Sequence, residues 1–528
     1  MPSRRDLLRC AVVGVAVATA LGAGALAWSS TLLGEYSVMD MGGGHGNEHG
    51  HGAEHGPGVG GAGENGGSAA SATLNSPSGV SVTSLTADPD RPAEVRVELT
   101  ARQETIDIPG GRAVDGYTVN GTSPGPEIRA RQGELVEVEF VNESVTDGAT
   151  LHWHGIDVPN AADGVAGITQ DAVPVGGRHI YRFVAEDAGT YWYHSHQLSH
   201  VQVERGLLGA VVIEPAAASP APESTDAARS TDASRSTDAS TDVTALLHVY
   251  GGQHTLNGRA DDSRVEAVPG STVRVRVINT DQGTAAVWSA APFRVVAVDG
   301  HDVKRPTDVE GQRVLIPAGG RADVAVRVPP SGEAVRLHVG GARSVLIGDA
   351  SVSAASVAVA RQPERTLDLL AYGEAASLDF DPTRPDRSYE YVIARRFGII
   401  DGRPGNFWTI NGRMFPDVPM FEVTEDDVVV MHLRNDSGDV HPMHLHGHHV
   451  VVLARDGVAA SGSPWVVDSL DLRPGESYEI AFVADNPGIW SDHCHTLPHA
   501  VDGLIAHVMY EGVSTPFTIN GDAGNRPE

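Results

Sequence analysis

Four times in this chain one histidine follows another at a spacing of two: His152 and His154 in HWHG, His194 and His196 in HSH, His444 and His446 in HLHG, and His493 and His495 in HCH. Each pair lies in strand-like surroundings. On a strand, residues two apart share a face and immediate neighbours point opposite ways. Each pair therefore presents two imidazoles to one side of a sheet. Two pairs come from the first two-fifths of the chain and two from its last fifth. A fold that uses all eight rings together must bring those distant parts into contact.

The remaining pattern predicts what carries them. Sixty-one glycines and 32 prolines favour turn-rich β architecture over helical bundles. Stretches such as AEVRVELTARQETIDI, GELVEVEFVNE, STVRVRVINT, RADVAVRV, DDVVVMHLRN and ESYEIAFVAD alternate apolar and polar residues between Gly, Pro and Asn breaks. We read an all-β chain of three consecutive β-sandwich domains, at 85–215, 243–361 and 362–516, followed by a tail at 517–528. A six-residue repeat (STDAAR, STDASR, STDAST) marks 216–242 as a linker. Residues 28–84 are low in complexity and rich in His and Gly, a composition that predicts disorder. Met39, Met41, His45, His49, His51 and His55 in that tract suit either loose metal collection or a plain flexible tether.

The beginning of the chain carries an address. SRRDLL at 3–8 precedes the apolar run AVVGVAVATALGAGALA at 11–27, so 1–27 reads as a twin-arginine export signal. The expectation is an exported protein, extracellular or in the cell envelope. A retained membrane anchor is the alternative, because the run is close to spanning length. The formal charge of 38 − 68 = −30 argues against nucleic acid as a partner. Of the two cysteines, Cys10 falls inside the signal and leaves Cys494 alone, with no intramolecular disulfide to form. A lone thiol in an exported protein is either inert or a metal ligand.

The period-two rule decides where that thiol points. Cys494 faces away from the side shared by His493 and His495, and His441 lies an odd number of positions from His444. Cys494, His441 and His499 can therefore form a second site behind the first. A thiolate with two imidazoles is the donor set of a blue copper electron-transfer site. Zinc fits less well: it closes at four nitrogen or sulfur ligands and would leave most of these histidines unexplained. His200, His432, His448 and His449 do not match the spacing, and we expect them at the surface or behind the ligands. The glycine stretches lack the strand–helix setting of a nucleotide loop, so no organic cofactor is expected.

HWHG, HSH, HPMHLHG and HCHTLPHAVDGL, in that order, resemble the four copper motifs of the multicopper oxidases. YTVNGTSPGPEIRARQGELVEVEFVN (117–142) is similar to that family's first-domain strands. The likeness spans roughly 90–215 and 400–512, and the middle domain loosely. It is of the three-domain laccase type, and the long HSHQLSHVQVERGLLGAVVI stretch suggests an actinobacterial-type branch. The resemblance implies cupredoxin-like domains and four coppers per chain. Type 1 copper would take His441, Cys494 and His499, and type 2 copper His152 and His444. One type 3 copper would take His154, His194 and His495, the other His196, His446 and His493. Leu504 stands at the axial position and does not coordinate, which implies a three-coordinate type 1 site of raised potential.

The family also implies that Asp163 supplies protons, a role compatible with its place before a turn at Gly164. Ala500 stands where metal-oxidising relatives often carry an acid, so a second proton path is in doubt. The edge of His499 is the expected point of electron uptake, with dioxygen as acceptor. Eight methionines, with no methionine-rich insert in the third domain, favour phenols or aromatic amines as donors. An exported cuprous or ferrous metallo-oxidase acting in copper tolerance is the alternative, and a copper-sequestering protein a second. Cupredoxin domains can assemble as trimers, though three in one chain make a monomer sufficient.

Overall fold

The computed structural model describes residues 34–41, 79–216, 241–400, 402–414 and 416–528. The expected signal or anchor at 1–27, the histidine tract from 42 to 78 and the linker at 217–240 lie outside the described residues. Among the described residues no helix is long and apolar enough to cross a membrane.

Alternation builds the sheets. In Leu135–Asn142 (LVEVEFVN) Leu135, Val136, Val138 and Phe140 are buried while Glu137, Glu139 and Val141 are half-buried. Between residues 95 and 214 the strands form two four-stranded sheets. One core lies between them, to which Leu99, Val138 and Phe140 of one sheet and Ile128, Trp153, Tyr193 and Val211 of the other contribute. Residues 241–348 repeat the plan with sheets of six and five strands, and residues 387–510 with sheets of seven and five. Each again encloses its own apolar core.

The first and last sandwiches each carry one sheet of the same construction. In the first, the order is Ile128–Arg131, Leu208–Glu214, Gly189–His194, His152–His154. In the last it is Met420–Val423, Ile505–Tyr510, Ile489–Cys494, His441–Leu445, with Ser469–Leu472 added at the edge. Both sheets place their two histidine-bearing strands side by side and antiparallel.

One expectation is corrected. Disorder across 28–84 does not extend to its two described pieces. Ser37 caps a 3-10 turn at Val38–Asp40, and Val38 and Met41 are buried in the core of the last sandwich. Tyr36 and Ile519 exchange backbone hydrogen bonds of 3.1 and 2.8 Å, and Val80–Ser81 pairs in parallel with Val513–Ser514. A few apolar side chains suffice to anchor these pieces, which an average over the tract conceals. Met41, buried, is not available to collect metal. The tail at 517–528 packs onto the sandwiches: Ile519 and Asn525 are buried, and Leu198 donates its N–H to the Arg526 carbonyl at 2.6 Å.

Candidate metal centre

Strand register brings the histidines together in pairs before any tertiary contact. His152 stands directly opposite His194, and His444 directly opposite His493. His196, His446 and His495 lie just past the strand ends, in the turns that follow. The two sheets then meet, and all eight imidazoles are buried at their junction. His196 Nε2 and His446 Nε2 lie 3.3 and 3.2 Å from His493 Nε2, and His152 Nε2 lies 3.4 Å from His444 Nε2. His154, His194 and His495 form one group of convergent donor atoms and His196, His446 and His493 another, each with its donors within 4.8 Å of one another. His152 and His444 converge in a third group, which also touches His154.

Burial first, and repulsion among neighbouring rings second, push His154, His194, His196, His446, His493 and His495 well below the ordinary imidazole range. Neutral imidazoles are the form that binds metal. Their outer nitrogens are tied down. His152 Nδ1 donates to Asp163 at 3.0 Å, His444 Nδ1 to the Asp468 carbonyl at 2.9 Å and His446 Nδ1 to Asp163 Oδ1 at 3.1 Å. Such partners fix the tautomer and aim the free nitrogen inward. Asp163, 1 % exposed, thus holds one ring of each of two groups. It also precedes the expected turn: a Cβ on Gly164 (φ +79°) would sit 1.8 Å from the Leu151 carbonyl oxygen.

Behind this cluster, Cys494 stands opposite Met443 and shares its inward face. Cys494 Sγ lies 3.7 Å from both His441 Nδ1 and His499 Nδ1, and the two nitrogens are 3.2 Å apart. The point equidistant from the three atoms is about 2.1 Å from each, the length of a metal–imidazole bond. Ser437 Oγ, 2.7 Å away, takes up the outer His441 Nε2. Burial lowers His441 to about 3, helped by His499 and Arg395, and burial raises the Cys494 thiol far above its usual range. A thiolate here needs a cation beside it. Leu504 is fully buried in the same core, and its carbonyl accepts the Cys494 N–H at 3.2 Å. His499 is half-buried, so one edge of this site reaches solvent.

Several neighbours of the site carried no signal in the sequence. Asp468 Oδ1 accepts from His154 Nε2 at 3.0 Å and from Arg321 of the middle sandwich at 2.5 Å. Asp299, also from the middle sandwich, accepts the Arg321 N–H at 2.7 Å. Gly319 (φ +82°) lies against the rings, where a Cβ would meet His154 at 2.7 Å and His495 at 3.0 Å. Glu528 Oε1 lies 3.4 Å from His493 Nδ1 and 3.8 Å from His196 Nε2, while Ser199 Oγ donates to its other oxygen at 2.6 Å. Of the unassigned histidines, His449 is buried between Asp157 and Asp468, at 3.3 Å from each, and His448 bonds the Tyr510 hydroxyl at 2.7 Å. Burial alone would lower His449, but the two carboxylates overcome it and push it up to about 10. His432 and His200 are both half-buried.

Both sets of donors fit copper. His154 Nδ1, His194 Nε2 and His495 Nε2 are buried nitrogens with no hydrogen-bond partner, gathered in one group. Leaving them unmet would cost about 1–3 kcal/mol each, and a metal ion is the partner that three converging lone pairs suit. Trigonal thiolate–imidazole donors suit copper in the same way.

Comparison with known proteins agrees. The multicopper oxidase family matches residues 100–218 and again 393–513. The multicopper oxidase MmcO of Mycobacterium tuberculosis is 28% identical over 462 residues, 79% of this chain and 87% of that protein. Laccase-1 of Botryotinia fuckeliana is 28% identical over 447 residues, 73% of this chain and 76% of that one. The crystal structure of a multi-copper oxidase from Pseudomonas thermotolerans superposes with a TM-score of 0.62 at 27% identity, covering 79% of this chain and 98% of that one. The chain belongs to the multicopper oxidase family: it is an all-β, cupredoxin-like, four-copper enzyme that draws electrons singly from a reducing substrate and spends four of them in reducing dioxygen to water.

Proposed function

We propose that the electron donor is a phenol or an aromatic amine, and that the protein works outside the cytoplasm. The observation that carries the first part is the face over His499. The Trp408 ring centre lies 4.6 Å from that of His499, and the Arg395 guanidinium covers the indole. Phe397, on the same side of its strand as Arg395, is 68% exposed, and Val440, beside His441, is 38% exposed. Exposed apolar groups such as Phe397 and Val440 accept an aromatic ring, whereas a guanidinium repels a cuprous or ferrous ion. Asp439 and Asp502 near His499 are the observation that keeps a metal-ion donor as a second reading. Export rests on the signal at 1–27 and on the lone cysteine, and a retained anchor would place the same enzyme at a membrane surface.

We assign His441, Cys494 and His499 to type 1 copper and His152 and His444 to type 2. The two remaining groups of three histidines go to the type 3 pair. Bound copper supplies one-electron acceptance and the reduction of dioxygen. The chain supplies the rest. His499 presents the edge at which the donor docks. Cys494 is peptide-bonded to His493 and His495, so the thiol-bearing residue joins one ring of each type 3 group. Asp163 receives Nδ1–H bonds from His152 and His446 and is placed to hold protons beside both. Glu528, raised by burial to about 8 in the metal-free protein, lies 3.4 Å from His493 Nδ1. It offers the second acid that Ala500 does not.

Oxygen uptake by the copper-loaded protein tests the reading, with a dimethoxyphenol set against Cu(I) after subtraction of autoxidation. Rapid uptake with the phenol and little enzyme-dependent uptake with Cu(I) is the expected result. The reverse makes the protein a cuprous oxidase. Full copper loading without uptake on either donor favours sequestration.

A further inference from the structure

Arg395 and Trp408 stand directly opposite each other on the antiparallel strands Arg387–Ile400 and Arg403–Ile410. The guanidinium carbon lies 3.7 Å from the indole centre. Trp408 is buried, and its ring packs against both imidazoles of the type 1 group, 4.5 Å from His441 and 4.6 Å from His499. A permanent cation is thus held one ring away from the type 1 ligands. Its position is set from the other side by Asp439, whose carboxylate lies 3.3 Å from the guanidinium. Ser437, which bonds His441, belongs to the same 437–439 turn.

The signs of these charges matter to an ion that gains an electron. A nearby positive charge favours the state with less positive charge, so it draws the electron in; a nearby negative charge does the opposite. Arg395 acts on His441 and His499 in the same sense, while Asp439 and Asp502 oppose it at His499. Arg395 is 45% exposed and Asp439 50%, so solvent and salt weaken both.

We propose that Arg395, seated on Trp408, raises the type 1 reduction potential and that Asp439 trims it. The pair then sets which donors the enzyme can oxidise, beyond what a non-coordinating Leu504 achieves alone. Arg395 is a positioning and tuning residue that need not touch the substrate. The inference rests on reading His441, Cys494 and His499 as the type 1 ligands.

The test is a redox titration of the visible thiolate-to-copper band in copper-loaded protein at low ionic strength. R395M keeps most of the bulk over the indole and removes the charge. Its electron-uptake equilibrium should weaken on the order of tenfold, ~59 mV downward for a one-electron couple. D439N should move the potential upward, R395K should stay near the parent, and both shifts should shrink in high salt. Potentials unchanged in both R395M and D439N, or moving in the same direction, overturn the proposal, since mere loosening of Trp408 cannot give opposite signs. Should R395M fail to load copper, the direction in D439N decides. C494S tests the underlying assignment separately: a surviving blue band there refutes the ligand reading and leaves the charge argument without an object.

Discussion

A carboxyl group buried without a cation beside it has one low-energy state, the protonated one, and Glu528 is in that position. Burial raises it from 4.5 to about 8, against the single bond from Ser199. In the metal-free protein the folded chain therefore holds a proton between those values that the unfolded chain has released. Stability is fully present below about pH 4.5, falls as pH rises toward about 8, and levels off above it. E528Q mimics the protonated carboxyl and removes that slope. Melting curves of the metal-free protein from about pH 5 to 9 should show the parent losing ground to E528Q as pH rises. Parallel curves would mean that the carboxyl is solvated and holds no proton. Asp163 differs in its surroundings: two imidazole N–H groups donate to it, so it also orients the rings of His152 and His446.

At the level of elements, the segment around Asn525 closes the histidine turn of the first sandwich. Asn525 is fully buried; its oxygen accepts from Ala172 N–H at 2.8 Å, and its nitrogen donates to Asp171 and to the Thr518 carbonyl, both at 2.8 Å. N525A leaves those partners unmet and should cost about 2–3 kcal/mol, read as a lower denaturation midpoint at unchanged slope. A loss under about 0.5 kcal/mol would mean that water replaces the amide. The sequence showed nothing of this clamp, and the reason is range. The histidine pairs were readable because a strand fixes which neighbours share a face within three residues, and the same rule separated Cys494 from His493 and His495. Asn525 meets Ala172 across 353 positions, and Asp468 meets His154 across 314. Both are ordinary residue types in ordinary surroundings, so no local pattern marks them. Residues 34–41 were missed for a related reason: Val38 anchors a piece of a segment whose composition, averaged over its length, predicts disorder.

For the whole molecule, the question is what the middle sandwich does, since none of the residues assigned to copper lies in it. It delivers Arg321, fully buried, into the junction of the outer two. Burial alone would lower the Arg321 guanidinium, but Asp468 and Asp299 keep it charged. Burial alone would raise Asp468, yet Arg321 and then His154, His444 and His449 hold it well below the carboxylate range. Asp299, with less compensation, is pushed up to about 6. The three sandwiches are thereby locked through one charged group that also aims His154 and flanks His444. Removing one partner of a buried ion network costs about 3–5 kcal/mol, because the charges left behind stay buried. R321M should therefore melt lower by that amount. It should lose copper from the histidine cluster before it loses the type 1 blue band, because Cys494, His441 and His499 are all held within the last sandwich. Copper stoichiometry set against blue absorbance measures this directly. Equal loss at both sites would reduce the middle sandwich to a spacer; selective loss makes it the part that holds the oxygen-reducing cluster in shape.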